Sequence, residues 1–293
     1  MDDLCALAML LHWPDAEIVG ITTVAEERGH RAGYVNYALK LAGRDDIPVA
    51  AGADGARHAF RSPVAFPDEA AYWPEPITPC PGPEDAALAL LRRSVEAGAT
   101  VIAVGPYTNL ALADNAFPGL LAGAPLYLMG GYIRPVPPGF PAWDHRTDWN
   151  SQYDVDAARY VLERLRPTLI PLEVTAQTAL RRAFLPALED AGPLGRLLAR
   201  QARACAAEYQ NEETYGRTCA GLPDDIINFL HDPLACAVAL GWDGVTVDQL
   251  PLVAELRDGW LQTRAAPDWR LLSVVTAAEG PRFNAFWLNL VCS

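Results

Sequence analysis

Carboxylates and a histidine stand at two places where the sequence indicates the start of a helix. Asp2 and Asp3 open the chain, and His231 and Asp232 come directly before Pro233 and an apolar run. Acids in a first helical turn, and Asp before Pro, are typical of helix capping, so capping alone explains both places. The chemical alternative is that carboxylate oxygens bind Ca²⁺ and that a histidine beside an acid moves a proton near neutral pH.

Two further segments offer groups for the same chemistry. The apolar run that ends at Val104 is followed by a Gly-Pro turn, so the Val104 carbonyl could bind a metal at a strand end. Asp148, Trp149 and Asn150 combine an aromatic ring with two hydrogen-bonding groups, which suits a sugar. An ordinary strand-to-helix turn and an ordinary loop explain these segments equally well, so neither is specific alone.

The elements that must position these groups alternate along the chain. Helical patterns separate short apolar runs, which are typical of strands buried on both faces. This alternation predicts βαβ units: one α/β domain over residues 1–293, with an open, mostly parallel (Rossmann-like) sheet flanked by helices. Ligands of such sheets bind at the carboxyl ends of the strands. The predicted strands are 17–24, 47–52, 100–105, 125–129 and 168–174, and the predicted helices are 4–11, 34–41, 84–96 and 156–165.

The two ends of the sequence differ from this pattern. Residues 252–264 carry an Asp-Gly pair between two strand-like runs, which predicts a small C-terminal antiparallel hairpin, and 271–278 could add a strand. At the other end the sequence opens directly on a helix, whereas an open sheet of this kind normally opens on a strand. We therefore expect a strand that precedes Asp2.

Composition excludes several classes of function. The chain has 293 residues, 51% of them hydrophobic, and a net charge of -13, which indicates a globular protein and argues against nucleic acid as a partner. No apolar run approaches the ~20 residues that span a bilayer, so no membrane partner is expected. The six cysteines include no C-x-x-C pair, which suggests free thiols, a reducing compartment and hence a cytoplasmic location.

Six segments, taken in order, resemble the nucleoside hydrolase (nucleoside N-ribohydrolase) family. The family's N-terminal signature is D-x-D-P-G-x-D-D, and Asp2 and Asp3 match its last two acids. The earlier acids of the signature, including the first catalytic aspartate, and the strand that carries them are expected to precede this sequence. The matching segments are DDLCALAMLLHWPDAEIVGITTV, AGRDDIPVAAGA, TVIAVGPYTNLALA, LMGG, DWNSQYDVDAARYVL and HDPLACAVAL.

The resemblance implies Ca²⁺-dependent hydrolysis of the N-glycosidic bond of ribonucleosides to base and ribose, by a homodimer or homotetramer. It also implies roles for single residues. These are metal binding by Asp3, Asp232 and the main-chain carbonyl of Val104, substrate binding by Asp2, Asp148, Asn150 and Glu27, and protonation of the leaving base by His231.

Two alternatives compete with this interpretation. One is a catalytically impaired, nucleoside- or ribose-binding relative, favoured by Glu27, which stands where the family usually has a sugar-binding Asn, and by the proline-rich loop 132–147. The other is an unrelated α/β hydrolase or phosphatase. It is disfavoured because the sequence has neither a G-x-S-x-G elbow nor a glycine-rich phosphate loop.

Overall fold

The structure is a computed structural model that describes residues 1–56 and 69–293. Within these ranges strands and helices alternate as far as β5, as the sequence predicts. The strands are β1 (Ile21–Thr23), β2 (Val49–Ala51), β3 (Val101–Ala103), β4 (Leu126–Met129), β5 (Thr168–Ile170), β6 (Leu180–Arg181), β7 (Ile226–Asn228), β8 (Val245–Arg257), β9 (Trp260–Ala265) and β10 (Leu271–Ala278).

The helices cover both faces of the sheet and carry most of the candidate residues. Short 3₁₀ turns at His145–Thr147 and Arg182–Phe184 and a π turn at Glu212–Gly216 complete the described elements. The helices are α1 (Asp2–His12), α2 (His30–Leu41), α3 (Glu69–Tyr72), α4 (Glu84–Glu96), α5 (Thr108–Ala116), α6 (Trp149–Tyr153), α7 (Val155–Arg164), α8 (Leu172–Thr175), α9 (Leu185–Asp190), α10 (Gly192–Tyr209), α11 (His231–Ala239) and α12 (Gly280–Val291).

The main sheet has six strands in the order β3-β4-β5-β10-β8-β9. Strands β3, β4, β5 and β10 run parallel, with Ser273 opposite Thr168, and β8 and β9 complete the sheet in antiparallel pairing. The predicted mixed α/β class with a mostly parallel sheet is confirmed. The antiparallel part is larger than a small appendage, because β10 lies between β5 and β8 and joins the hairpin to the parallel strands.

A second, two-stranded parallel sheet consists of β1 and β2. Among the described residues β1 pairs with β2 alone and β3 pairs with β4 alone, so no described strand joins the two sheets. The buried Asn109 on α5 links them instead: its Nδ2 donates to the Thr23 carbonyl at 2.8 Å, and its Oδ1 accepts from Ala53 N at 3.1 Å. Asn109 stands near the start of α5, where such a residue often caps a helix, but its side chain bonds the β1–β2 sheet instead.

The predicted elements have shorter or slightly shifted bounds in the structure. The strand predicted at 168–174 ends at Ile170, because Pro171 is followed by the short helix α8. The Asp-Gly turn between β8 and β9 is confirmed: Asp258 has φ 51° and Gly259 has φ 75°, the left-handed conformations that a tight hairpin requires.

The N-terminal helix α1 is held from two sides within the larger hydrophobic core. It packs against α11, and the buried Trp287 of α12 donates from Nε1 to the Cys5 carbonyl at 3.1 Å. This packing fixes the first turn of α1 beside the first turn of α11. No helix in the described ranges is long and apolar enough to cross a membrane.

Candidate active site

Two carboxylates that stand 230 residues apart in the sequence meet where α1 and α11 begin. The main-chain N–H of Asp232 donates to Asp2 Oδ2 at 3.0 Å, while Asp2 Oδ1 is buried without a hydrogen-bond partner. Burial raises the pKa of Asp2, and the charge of Asp3 raises it further. Burial also raises the pKa of Asp232, as do the charges of Asp2 and Asp3. The pair therefore carries repulsion that a bound cation would relieve.

The expected helix cap at Asp232 is not what the structure contains. Helix α11 begins one residue earlier, at His231, with Leu230 as its N-cap and no side-chain cap hydrogen bond. Asp232 thus lies inside the first turn, where its side chain is buried and its N–H is used by Asp2. The interpretation of Asp232 as an N-cap is wrong, which leaves its carboxylate available for another partner.

A calcium ion fits these carboxylates only in part. The orphan oxygen of Asp2 and the mutual repulsion with Asp232 favour a cation, and Asp3 lies exposed beside them. Calcium binds six to eight oxygens. Within residues 1–56 and 69–293, however, no group of three or more His, Cys, Asp or Glu side chains is arranged to hold a metal. These acids therefore supply part of a calcium ligand set.

Asn150 lies at the carboxyl ends of β3 and β4. Its Nδ2 donates to the Val104 carbonyl at 2.9 Å and to the Met129 carbonyl at 3.1 Å. The structure thus brings together Val104 and Asn150, two residues singled out in separate segments. A carbonyl oxygen has two lone pairs, so the one on Val104 can accept this hydrogen bond and still bind a metal.

The backbone surrounds the carboxylate of Asp148. Asp148 is 3% exposed, its Oδ2 accepts from Gly131 N at 2.7 Å, and its Oδ1 accepts from Ser151 N at 3.4 Å. Burial raises the pKa of this carboxyl group. Asp148 therefore caps α6 and ties it to the strand-end loop at Gly131, so these contacts position the helix that carries Asn150.

His231 is enclosed by aromatic rings and by one hydroxyl. Its ring stacks on that of Phe229 with ring centroids 5.3 Å apart, and the ring centroid of Trp143 is 5.9 Å from that of His231. Nδ1 of His231 is 2.7 Å from Thr175 Oγ1. Burial lowers the pKa of His231 to about 4, so its imidazole is neutral at pH 7. A neutral imidazole carries one N–H donor and one acceptor lone pair.

Glu27 lies apart from these contacts. It is exposed in the loop after β1 with φ 48°, and no hydrogen bond among the described residues joins it to His231 or Asp232. Its neighbour Glu26 is fully buried and accepts from the Thr23 hydroxyl. Burial raises the pKa of Glu26.

Sequence patterns did not indicate the aromatic residues around His231. Trp143 stands in the proline-rich loop, and its Nε1 donates to the Tyr215 hydroxyl at 3.2 Å. The only local signal was that Phe229 precedes His231 by two residues. Rings brought together from three distant segments have no shared pattern, so only the fold identifies them.

The chain matches the family model described as inosine-uridine preferring nucleoside hydrolase over residues 1–285, and it belongs to that family. It is therefore a hydrolase that acts on N-glycosyl bonds. The match covers the six segments and continues through the C-terminal strands, where the resemblance in sequence was looser.

Curated relatives cover most of the chain. The pyrimidine-specific ribonucleoside hydrolase RihA of Salmonella paratyphi C (strain RKS4594) is 27% identical over 285 residues, 93% of this chain and 86% of that protein. An uncharacterised protein of Schizosaccharomyces pombe is 30% identical over 224 residues, 71% of this chain and 70% of that protein.

Solved structures share the fold. A plant nucleoside hydrolase superposes with a TM-score of 0.79 at 19% identity, covering 100% of this chain and 96% of that one. A purine-preferring ribonucleoside hydrolase from Gardnerella vaginalis gives a TM-score of 0.78 at 24% identity, covering 99% and 95%. At these identities the likeness establishes the fold alone.

Proposed function

We propose that this protein hydrolyses the N-glycosidic bond of ribonucleosides to base and ribose, with Ca²⁺ as its cofactor. The observation that carries the proposal is the part-buried hydrogen bond between Asp232 and Asp2, which lies beside the neutral His231 in a chain of this family. Two carboxylates in repulsion favour a divalent cation, and an adjacent imidazole suits a departing base.

The metal would be bound by Asp3, Asp232 and the Val104 carbonyl. When bound, Ca²⁺ would orient the sugar and acidify an attacking water. On the sugar side, Asp2 and Asn150 supply hydrogen-bonding groups for ribose hydroxyls. The ribose-binding roles of Asp148 and Glu27 stay predictions: backbone donors occupy the carboxylate of Asp148, and Glu27 is exposed.

His231 would hydrogen-bond the departing base. Its burial favours the neutral imidazole, so it does not reach the base as a cation at pH 7. The contact with the Thr175 hydroxyl fixes the ring through Nδ1 and leaves Nε2 for a substrate atom. Stacking on Phe229 holds the ring plane.

The substrate class is ribonucleosides, without assignment to one base. RihA is named as pyrimidine-specific and the Gardnerella vaginalis enzyme as purine-preferring, so the similar proteins differ among themselves. The family match and the named relatives favour the hydrolase over the alternative of a catalytically impaired binding protein.

The test is release of base from inosine, uridine and 4-nitrophenyl riboside, with CaCl₂ or with EGTA. Turnover should require Ca²⁺, and Asp232→Ala should abolish both calcium binding and turnover. Asp243→Ala is the matched control, because Asp243 is exposed and paired with Arg282. Tight binding of nucleoside without turnover would support the binding-protein alternative instead.

The expected strand upstream of Asp2 stays a prediction with its own test. Two observations support it: the described acids form only part of a calcium ligand set, and within residues 1–56 and 69–293 β1 and β3 each have one strand neighbour. A version extended upstream by a strand ending in Asp-x-Asp-Pro-Gly should gain turnover of several powers of ten, since base catalysis alone contributes roughly 10²–10⁴. Equal rates with and without the extension would reject it.

A cytoplasmic location and a homodimer or homotetramer complete the proposal. Free cysteines, three of them buried, support a reducing compartment. Exposed apolar side chains near the C-terminal hairpin, including Trp269 and Leu271, support association. Light scattering after size exclusion measures the oligomeric state, and fluorescence microscopy of a tagged chain measures location.

A further inference from the structure

The side chain of Gln152 closes the outer edge of β9. Gln152 is 5% exposed, its Nε2 donates to the Leu261 carbonyl at 2.7 Å, and its Oε1 accepts from Leu261 N at 3.0 Å. Leu261 stands opposite Leu256 across the hairpin, one position beyond the pair next to the turn. In antiparallel pairing such a residue directs its N–H and carbonyl away from its partner strand. The Gln152 amide thus takes the place of one residue of a neighbouring strand.

The same amide also reaches the segment before α6. Nε2 of Gln152 donates to the His145 carbonyl at 2.9 Å, in the 3₁₀ turn that packs against β9. Both donors and the acceptor of the side chain are therefore used, and one residue joins this turn, α6 and the hairpin. A fully satisfied buried amide of this kind specifies a single arrangement of the groups around it.

Helix α6 depends on such contacts for its position. It has five residues, far fewer than an isolated helix needs for stability in water. Asn150 and Gln152 are separated by roughly 200° around the helix axis, so they point to opposite sides. Asn150 contacts the ends of β3 and β4, and Gln152 contacts β9, so the helix is held between the parallel strands and the hairpin.

We propose that Gln152 is a positioning residue, which fixes α6 against the hairpin and so places Asn150 at the carboxyl ends of β3 and β4. The hairpin is a firm support, because Leu252, Ala254 and Leu261 are buried in the core next to α7. Since this role rests on the ribose-side role proposed for Asn150, the C-terminal hairpin becomes part of the machinery that orients the sugar.

The test compares Gln152→Met with wild type by hydrogen exchange and by kinetics. Met keeps the size of the side chain and removes its three hydrogen bonds. Exchange should accelerate about 10-fold or more in residues 145–153 and 258–265 and stay unchanged in 126–129. For uridine, KM should rise more than kcat falls, with kcat/KM lower by about 10–100-fold, since a small misplacement of a binding group costs that much.

Two further variants make the test specific. Gln249→Met is the matched control: Gln249 is exposed on β8 and donates to Ser273 Oγ on β10, so exchange in 145–153 should not change. Gln152→Glu is the second variant: it keeps the acceptor for Leu261 N but turns a carboxylate oxygen toward the Leu261 and His145 carbonyls, so the same segments should loosen at neutral pH and tighten again at acid pH, where the protonated carboxyl group restores one donor.

Unchanged exchange in 145–153, or acceleration spread equally over β4, would overturn the role of Gln152. The exchange measurement does not depend on turnover. A wild-type chain without activity would therefore reject the proposed function and leave the exchange result to decide whether Gln152 positions α6.

Discussion

The main-chain N–H of Asp232 donates a hydrogen bond to Asp2 Oδ2 at 3.0 Å, so the first turns of α1 and α11 share one acidic centre. Each helix N-terminus contributes a partial positive charge that favours these acids. That contribution does not offset the cost of burying two carboxyl groups side by side, because the pKa of both groups is still raised.

Asp2→Asn should stabilise the metal-free protein. The Asn carbonyl can still accept from Asp232 N, while the cost of burying an ionisable carboxyl group is gone, so the free energy of unfolding should rise by about 1 kcal/mol. Thermal unfolding in EGTA measures it, and the stabilisation by added CaCl₂ should shrink. Asp3→Asn, which changes an exposed acid, is the control and should have a smaller effect in EGTA. A lower midpoint for Asp2→Asn would contradict the cost assigned to burying the carboxyl group of Asp2.

Gly130→Ala should destabilise the protein by about 2–6 kcal/mol. Gly130 has φ 139°, and a Cβ there would overlap the Tyr107 hydroxyl, which donates to the Met129 carbonyl. Backbone strain and overpacking each cost about 1–3 kcal/mol. Gly119→Ala is the control, because Gly119 has φ 85° with open space around it, so it carries the strain alone. Urea unfolding compares the two, and equal losses would reject the overlap.

Asn109→Leu should loosen the β1–β2 sheet. It leaves the Thr23 carbonyl and the Ala53 N–H without their partner, which costs about 1–3 kcal/mol. Hydrogen exchange in residues 21–23 and 49–53 should accelerate more than in β4. Asn115→Leu, an exposed position on the same helix, is the control. Uniform acceleration across both sheets would show that Asn109 does not act locally.

Stability should fall as pH rises through 7 because of Glu173. This buried carboxyl group accepts from Ile133 N and Arg134 N, yet burial outweighs those bonds and raises its pKa to about 7. The folded chain therefore retains a proton above pH 4.5 that the unfolded chain releases, so the stabilisation is complete below pH 4.5 and lost above about 7.

Glu173→Gln should remove that part of the pH dependence. Between pH 5 and pH 8 wild type should lose on the order of 2 kcal/mol more than the variant, measured by urea unfolding. Glu163→Gln changes an exposed carboxylate on α7 and controls for net charge. Parallel curves for wild type and Glu173→Gln would contradict the raised pKa.

His231→Ala should slow hydrolysis of inosine about 10²-fold and of 4-nitrophenyl riboside less than 10-fold. A nitrophenolate leaves without help, whereas a purine needs a hydrogen-bonding partner as it departs. Initial rates with both substrates give the ratio. His12→Ala, at the other end of α1, should change neither. Equal losses on both substrates would place His231 on the sugar and not on the base.

The sequence predicted the elements better than their partners. Strands β1 to β5 were recognisable because strands buried on both faces are short apolar runs. The position of β10 between β5 and β8 was not recognisable, because Ser273 pairs with Thr168 and residues so far apart in the sequence leave no local pattern. The capping alternative for Asp232 is wrong for a related reason: the sequence around it is typical of a helix cap, whereas its contact with Asp2 depends on how α1 packs.

The candidate residues likewise divide into those that the sequence singled out and those contacts that only the structure shows. The fold brings Asp2 next to Asp232 and its neighbour His231, which the sequence had singled out in separate segments, and the roles of all three stay predictions. The contacts of Asp148 with the backbone, and the enclosure of His231 by Phe229, depend on distances that only the tertiary structure sets.

The anchorage of α1 by Trp287 has a consequence for how the protein is made. Asp2 is synthesised long before Trp287, so the helix that carries Asp2 finds this buried partner only after residue 287 has been synthesised. The strand that joins the hairpin to the parallel sheet is also late. Such distant contacts make folding slow and leave apolar surface exposed during translation. The acidic centre at the start of α1 therefore reaches its final packing only after α12 has been synthesised.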